Sequence, residues 1–412
     1  MRDGLIHIIL YIVISLSLSC NKTDLGNELT FKELKLYNIE VQKIKKIHDY
    51  FALISPHKII FLNSDGDKQF SYNDSLFQSV NTYDFKFTDI VQGPGSDIFI
   101  LGTEILKNQE FNLDLIRIDA KGQEIWEQPK HIMITNLFQT DSADLQLNSI
   151  QNFTIKENGY ALASYINNEL IVVINYQTLV KYAWRYRIIS FSDNGEVNHD
   201  KDYASDKYLK SWTYLIDKMP DNTLTIIRGD DVYLDIIQYD PITFEIIKVH
   251  TIGSGINDAM FTAMHPWTSD EVILTGHADR RNNKIVAENF DIFCIRYNYK
   301  SNKIIDSLFY GLVNNEELSY DSYILGSKVY CIGTQRGDFL STPSFKSNLL
   351  EINFNFETRQ RDSVVYIQDE GYEGLFAEPV NNLPTEQKVL GYKLDISGKQ
   401  NIQGFYMQLK NP

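Results

Sequence analysis

The chain has 412 residues, in which 54 acidic and 39 basic side chains give a net charge of −15. Hydrophobic residues make up 43% of it and aromatic residues 13%, which excludes an intrinsically disordered chain, while the acidic balance excludes a general nucleic-acid binder. Three cysteines are too few for a disulfide scaffold, and the length allows two or three ordinary domains or one closed repeat architecture.

The amino terminus contains an almost wholly apolar run over residues 5–18, which ends at Ser19 and Cys20. A run of this length is short for a membrane-spanning helix, which needs about 20 residues, but it suits the apolar region of a signal peptide. The small residue, the cysteine and the polar stretch that follow resemble a bacterial lipoprotein signal, in which Cys20 becomes the lipidated first residue of the mature chain. An ordinary cleaved signal and an uncleaved anchor are the alternatives.

This resemblance implies a signal peptide over residues 1–19, a lipidated Cys20 with a short linker over residues 20–28, and an exported domain over residues 29–412. Two or more acyl chains, such as palmitate, anchor a protein stably without a spanning helix. Asn21 after the cysteine resembles the pattern of outer-membrane retention. We therefore expect a lipid-anchored protein of the bacterial cell envelope at the outer membrane, on its periplasmic or its surface face.

After Cys20 the chain has no sustained helical period. Short β-rich runs alternate with turns of Asp, Asn, Gly, Ser and Lys, which is typical of an all-β protein. Several runs recur as a pair of strands, of which the first carries an apolar–glycine step and the second ends on a polar residue. The step occurs at Gly102, Gly276, Gly333 and Gly391, and we place Ala163 at the corresponding position of the third unit.

The ends of the second strands set the period of the repeat. They fall at Asn63, Asp119, Asn175, Asp240, Asn298, Asn353 and Lys410, so that successive ends are 56, 56, 65, 58, 55 and 57 residues apart. A period of this size predicts units of about four strands stacked around an axis. We therefore expect an all-β fold, a β-propeller with seven four-stranded blades by this count and with six or eight as alternatives.

A four-stranded sheet cannot bury both of its faces alone, so neighbouring blades should pack face to face, with Tyr and Phe side chains filling the gaps between them. The carboxy terminus supplies too few strands for a complete last blade, whereas residues 29–36 form an unassigned strand. We expect this strand to become the outer strand of blade seven. The two termini would then close the ring together and cover an exposed edge.

The segment 98–126 carries the clearest copy of the repeat, with a Gly-Thr step, an alternating strand, a Lys-Gly turn and Trp126. It resembles the repeats of bacterial lipid-anchored β-propeller proteins. The other copies are degenerate, and the chain has neither the Trp-Asp signature of WD40 repeats nor the Gly-Gly pair of kelch repeats. The resemblance implies the fold and a cell-surface setting, but no functional residues.

Two segments that follow the glycine step hold the candidate binding residues. In a propeller such segments join the second strand of a blade to the third and lie at one face of the ring, so those of blades five and six should be neighbours. The candidates are His277, Asp279, Arg280 and Arg281 in blade five and Arg336, Asp338 and Phe339 in blade six.

Guanidinium groups bind carboxylate or phosphate groups bidentately, and an aromatic ring can stack on a sugar. The two segments therefore predict a binding or interaction module for an envelope protein partner or for an anionic or glycan ligand. The alternative is that these loops are simply polar, with Arg and Asp side chains paired to each other. A purely structural scaffold is a further alternative.

The sequence carries weaker signals for catalysis than for binding. We place innermost strands at residues 87–91, 148–150, 212–215 and 260–263, where Asp89 is the one acidic residue, and Glu373 is a second candidate. Carboxylates at the central channel would make a carbohydrate-active or other hydrolytic enzyme, the alternative to a binding module. The chain has no nucleophile elbow, phosphate loop or metal-ligand spacing. We expect no catalytic residue, cofactor, metal or nucleic-acid partner.

Overall fold

The computed structural model describes residues 27–28, 31–77, 79, 81–107, 110–136, 159–178, 183–204, 212–229, 234–252, 257–279, 290–312, 315–336, 347–367, 371–380, 383–394 and 403–410. These residues form strands β1 to β29 and one 3-10 turn at Asp74–Leu76. The strands make seven sheets, six with four strands and one with five. No helix in this part of the chain has the length and apolar character needed to cross a membrane.

Each sheet is one blade, and its strands follow in chain order from the innermost outwards. Blade one contains β3 (Lys43–Ile47), β4 (Tyr50–Ile54), β5 (Lys58–Leu62) and β6 (Lys68–Asn73). Blade two contains β7 (Thr82–Gln92), β8 (Ile98–Leu106), β9 (Glu110–Ile118) and β10 (Lys130–Asn136). Blade three contains β11 (Gly159–Ile166), β12 (Glu169–Thr178), β13 (Ala183–Phe191) and β14 (Val197–Ala204).

The remaining blades follow the same order. Blade four contains β15 (Trp212–Lys218), β16 (Leu224–Gly229), β17 (Leu234–Tyr239) and β18 (Ile246–Ile252). Blade five contains β19 (Asn257–Pro266), β20 (Glu271–Asp279), β21 (Phe290–Asn298) and β22 (Lys303–Tyr310). Blade six contains β23 (Glu316–Leu325), β24 (Lys328–Arg336), β25 (Ser347–Asn355) and β26 (Gln360–Ile367). Blade seven contains β27 (Gly371–Val380), β28 (Leu383–Leu394) and β29 (Gln403–Lys410).

Blade seven takes its outer strand from the other end of the chain. Strand β2 (Phe31–Tyr37) pairs antiparallel with β29, which confirms the predicted closure of the ring by both termini. The short β1 (Asn27–Glu28), inside the segment expected as a linker, pairs in parallel with β26 of blade six. The fold is therefore a seven-bladed β-propeller.

The hydrophobic core is divided among the interfaces between blades. The described residues form seven apolar clusters, one at each interface of the ring. Because side chains point alternately to the two faces of a strand, one strand contributes to two of these clusters. On β9, Leu113 and Leu115 face blade three, whereas Ile116 and Ile118 face blade one. Each blade thus buries both of its faces, as the sequence predicts.

Hydrogen bonds between neighbouring blades add to this packing. At five interfaces, a side chain near the outer edge of one blade donates to a backbone carbonyl in the turn between the third and fourth strands of the next blade. The pairs are Tyr37 with Gly66, Tyr72 with Gly122, Trp126 with Asp193, Tyr203 with Phe244, and Lys248 with Lys300. These bonds give the turn carbonyls a partner and fix the position of one blade on the next.

The predicted glycine step marks a β-bulge in the innermost strand. The pairing of β23 with β24 shifts between Ser319 and Asp321, directly opposite Gly333. A Cβ on Gly333 would lie 1.8 Å from the carbonyl oxygen of Leu318. Gly276 is equally crowded, with a Cβ position 2.0 Å from the Met260 oxygen. The bulge brings the two backbones so close that only glycine fits there.

The sequence-based alignment of blade three is wrong by one strand. Asn175 lies within β12, the second strand, and the third strand ends at Phe191. In blade one, the turn between the third and fourth strands begins at Asn63. The equivalent turn of blade three begins at Ser192, whose amide donates to the Glu196 oxygen at 2.9 Å. The innermost strand is Gly159–Ile166, whereas its expected position at residues 148–150 lies outside the described residues. The long stretch between β10 and β11 breaks the equal spacing.

Replacing Gly333 with Ala is expected to lower the free energy of unfolding by about 1–3 kcal/mol, because the new methyl group forces the bulged strand away from β24. Urea denaturation measures this change. The control is Gly326→Asn, since Gly326 has φ +62° and no atom within 4 Å of its Cβ position, and Asn tolerates this conformation. Equal losses in the two variants would contradict the crowding at Gly333.

Candidate functional site

The innermost strands of all seven blades enclose a central channel of about 500 Å³. Much of its wall is apolar or aromatic. The charged residues on it are Lys43, Lys45, Lys46, Asp89, Asp217 and Asp321. Both signs of charge therefore line one channel that is partly shielded from solvent, where electrostatic interactions are stronger than in bulk water.

Two of the channel aspartates occupy equivalent positions. Asp89 and Asp321 each follow the bulged residue of their innermost strand. Each also accepts a hydrogen bond from the innermost strand of the next blade, at 3.0 Å from the Ala163 amide to Asp89 and at 3.2 Å from the Ala377 amide to Asp321. These carboxylates therefore link neighbouring blades at the channel wall.

Both carboxylate oxygens of Asp89 form ion pairs or hydrogen bonds. Its Oδ1 lies 2.9 Å from Lys43 Nζ and 2.8 Å from Lys45 Nζ, and the same oxygen accepts the Ile90 amide at 2.9 Å. Burial by itself would raise the pKa of Asp89, but the two lysines outweigh it and hold the pKa below its usual value. The side chain is fully buried and stays ionised, so it is a structural anion.

Asp321 and Asp217 behave differently from Asp89. Burial raises the pKa of Asp321 to about 7, against the opposing amides of Ser322 and Ala377. Burial also raises the pKa of Asp217, although the Lys218 amide and Lys45 oppose it. The charge of the channel wall therefore changes with pH near neutrality.

Three of the predicted binding residues lie within the described structure, in neighbouring blades five and six. Asp279 is the last residue of β20, and Arg336 is the last residue of β24. Arg336 Nη1 is 3.4 Å from Glu316 Oε2 on the innermost strand of the same blade. Four predicted binding residues lie outside the described residues, namely Arg280, Arg281, Asp338 and Phe339.

His277 lies inside the interface between blades five and six. Its side chain packs near Phe290 and Tyr320, and its Nδ1 donates to the Ser319 carbonyl at 3.0 Å. Burial lowers the pKa of His277 to about 4, and Arg336 adds to this against the Ser319 hydrogen bond. The residue is 4% exposed and neutral at physiological pH, and its described contacts are all made within the interface between the two blades.

The sequence pattern predicts Asp89 as a channel residue, but it does not predict the lysines beside Asp89 or the other two channel aspartates. Lys43 and Lys45 alternate with apolar residues along β3, which is a signal for a strand with one polar face. Asp321 follows a bulge that only the pairing of strands reveals. Glu373, the second catalytic candidate, lies on innermost strand β27, and its side chain is outside what the structure describes.

No protein-family model and no curated protein matches the chain. Among solved structures, it is similar to Drosophila Semaphorin 2a, with 8% identity and a TM-score of 0.53, over 94% of this chain and 76% of that one. The Pan2 WD40 domain of Neurospora crassa has 10% identity and a TM-score of 0.49, over 93% and 97% of the two chains. Puromycin hydrolase has 6% identity and a TM-score of 0.45, over 87% and 59%. At such identities the likeness concerns the fold alone.

The variant Asp321→Asn is expected to remove part of the pH dependence of stability. The pKa of Asp321 is about 7 in the folded chain and about 3.9 in an unfolded one. The folded chain therefore binds this proton more tightly, and the wild type loses stability as the pH rises from about 4 to about 7. Urea denaturation between about pH 4 and pH 9 measures this effect. The free energy of unfolding of the wild type should fall relative to that of Asp321→Asn up to about pH 8, and above that pH the difference between the two proteins should be constant.

Asp89→Asn is the matched control, because Asp89 occupies the equivalent position but has a lowered pKa. Its stability difference from the wild type should be large and constant between about pH 5 and pH 9. A constant difference for Asp321→Asn over the same range would contradict the raised pKa.

Proposed function

We propose that this protein is a lipid-anchored binding module of the bacterial cell envelope, which uses one end of its propeller to bind a partner that presents anionic groups. A protein partner and a glycan are both consistent with this chemistry. The observation that carries the proposal is the difference between the two ends of the ring.

At one end, tight turns join the strands. The turns after β5, β9 and β13 close with backbone hydrogen bonds at Asn63, Asp119 and Ser192. The opposite end receives three long connections, over residues 137–158, 280–289 and 337–346, whereas the tight-turn end has one of similar length, over residues 119–129. Long loops on a rigid scaffold are a usual place for binding residues, which favours this end as the binding surface.

The charge of the connection over residues 280–289 supports an anionic partner, because it holds Arg280, Arg281 and Lys284 against the single acidic residue Glu288. Arg280 and Arg281 begin the connection after β20, and Arg336 is the last residue of β24 in the neighbouring blade, in a chain whose net charge is −15. Guanidinium groups bind carboxylates and phosphates through paired hydrogen bonds. We therefore keep six of the predicted binding residues and leave out the buried His277; the six are Asp279, Arg280, Arg281, Arg336, Asp338 and Phe339.

The amino terminus supplies the anchor in this proposal. Cys20 is seven residues before β1, which begins at Asn27 and pairs with blade six. A segment of this length spans at most about 25 Å when fully extended. Lipid on Cys20 would therefore hold the propeller close to the membrane surface.

A hydrolytic enzyme is the second candidate, because Asp217 and Asp321 line one channel and both have a raised pKa. Glycoside hydrolysis needs one carboxyl group protonated and another ionised. Asp89 forms ion pairs with two lysines, and Asp217 accepts a hydrogen bond from the Lys218 amide at 2.7 Å. These contacts favour binding over catalysis.

Capture of partners from detergent-solubilised envelopes tests the binding surface. The double variant Arg280→Glu/Arg281→Glu is expected to lose a partner that the wild type retains. The charge-matched control is Lys68→Glu/Lys121→Glu, at exposed positions in or beside the tight turns at the other end of the ring from the proposed binding surface, and it should retain the partner. In the same preparations, Cys20→Ser should move from the membrane to the soluble exported fraction.

The variant Ile246→Ser/Ile305→Ser tests an alternative binding surface, formed by exposed isoleucines at the outer edge of the ring. These isoleucines lie on the outer strands of blades four and five and are 48% and 47% exposed. Loss of the partner in this variant, with binding retained in the arginine variant, would overturn the proposed surface. Retention of Cys20→Ser in the membrane fraction would overturn the anchor.

A further inference from the structure

Three side chains that commonly bind metal ions meet on one face of blade two. They are Glu104 on β8, Asp114 on β9 and His131 on β10, and one ligand atom from each lies within 4.8 Å of the other two. Asp114 is paired with both Gly102 and His131, and Glu104 is two residues beyond Gly102 on its strand. The strand pairing therefore places all three side chains on the same face of the sheet.

Two of the three residues are buried carboxylates. Glu104 is 2% exposed and Asp114 is fully buried, whereas nearly half of the His131 side chain is exposed. His131 Nδ1 lies 2.7 Å from Asp114 Oδ1, and the Thr82 hydroxyl donates to Glu104. Two buried carboxylates side by side are costly unless a proton or a cation compensates their charge.

Two buried acceptor oxygens at this cluster have no hydrogen-bond partner within the described residues. One is Asp114 Oδ2 and the other is Asn112 Oδ1. Asn112 is 6% exposed, pairs directly with Glu104 across the strands and lies on the same face as Asp114. Buried acceptors without a donor are rare because each costs its full desolvation penalty. A bound cation would satisfy Asp114 Oδ2, and Asn112 supplies a further oxygen on the same face of the sheet.

We propose that Glu104, Asp114 and His131 bind one divalent transition-metal ion of the zinc class, with Asn112 Oδ1 as a further donor. An imidazole nitrogen together with carboxylate oxygens suits Zn²⁺ and Co²⁺, whereas Ca²⁺ and Mg²⁺ prefer sites made of oxygens alone. The partly exposed His131 opens the cluster to solvent, so an ion can enter and retain a water molecule.

The site would tie the second, third and fourth strands of blade two together. An ion that binds the folded chain and not the unfolded chain raises stability in proportion to the logarithm of its concentration. This role is independent of the binding surface proposed above, because the cluster is built within one blade and shares no residue with that surface.

The test uses the full-length protein in detergent, without a polyhistidine tag and stripped of metal by a chelator. Calorimetric titration with ZnCl₂ should show one saturable equivalent, and Co²⁺ should give visible absorption bands. His131→Ala should weaken Zn²⁺ binding at least tenfold and abolish the rise in unfolding temperature that Zn²⁺ causes in the wild type. Asp114→Asn provides a second variant, which keeps the shape of the buried side chain.

His57→Ala is the matched control. His57 Nδ1 lies 2.8 Å from Asp74 Oδ2, an exposed His–Asp pair like that of His131 but outside the cluster. This variant should bind Zn²⁺ as the wild type does. The proposal is overturned if the wild type binds no saturable Zn²⁺, if His131→Ala and Asp114→Asn bind it unchanged, or if His57→Ala loses binding equally.

Discussion

The structure depends on one constraint, that every blade must bury both faces against its neighbours. A sheet of four short strands has too little core to stand alone, so stability comes from the apolar clusters between blades. Bonds such as that from Tyr72 to Gly122 reinforce each interface at its outer edge. A ring under this constraint cannot have a missing strand at its closure, which explains why β2 joins β29 from the opposite end of the chain.

The same constraint decides where chemistry can occur. The blade faces are largely committed to packing, and the two groups of ionisable residues described above lie at the channel and on one face of blade two. At the channel, bulged innermost strands place Asp89 and Asp321 against the next blade, but only Asp89 has two lysines to hold its charge. In blade two, pairing across three strands brings Glu104, Asp114 and His131 together. Both arrangements arise from strand pairing, which chain spacing does not reveal.

The fold could be predicted from the sequence because the patterns that specify it lie within short stretches of the chain. Alternating strands, polar turns and the glycine step recur in each blade, and the step has a cause in the close approach of two backbones at Gly276 and Gly333. The alignment failed at Asn175, where a polar residue inside a second strand imitates a strand end. The sites were harder to predict. His277 belongs to the blade interface although it stands two residues before the strand end, and no local pattern distinguishes its burial from exposure. The loop arginines stay a prediction.

Hydrogen–deuterium exchange on the variant Leu34→Asp tests the constraint most directly. Leu34 lies on β2 and packs against the apolar cluster between blades six and seven. Val197→Asp, at an exposed position on the outer strand β14, is the control. If the blades stabilise one another around a closed ring, Leu34→Asp should accelerate exchange in β29 and in strands of blades one and six whose sequence is unchanged, and Val197→Asp should not. Faster exchange confined to residues 31–37, with the rest of the ring protected as in the wild type, would contradict the account.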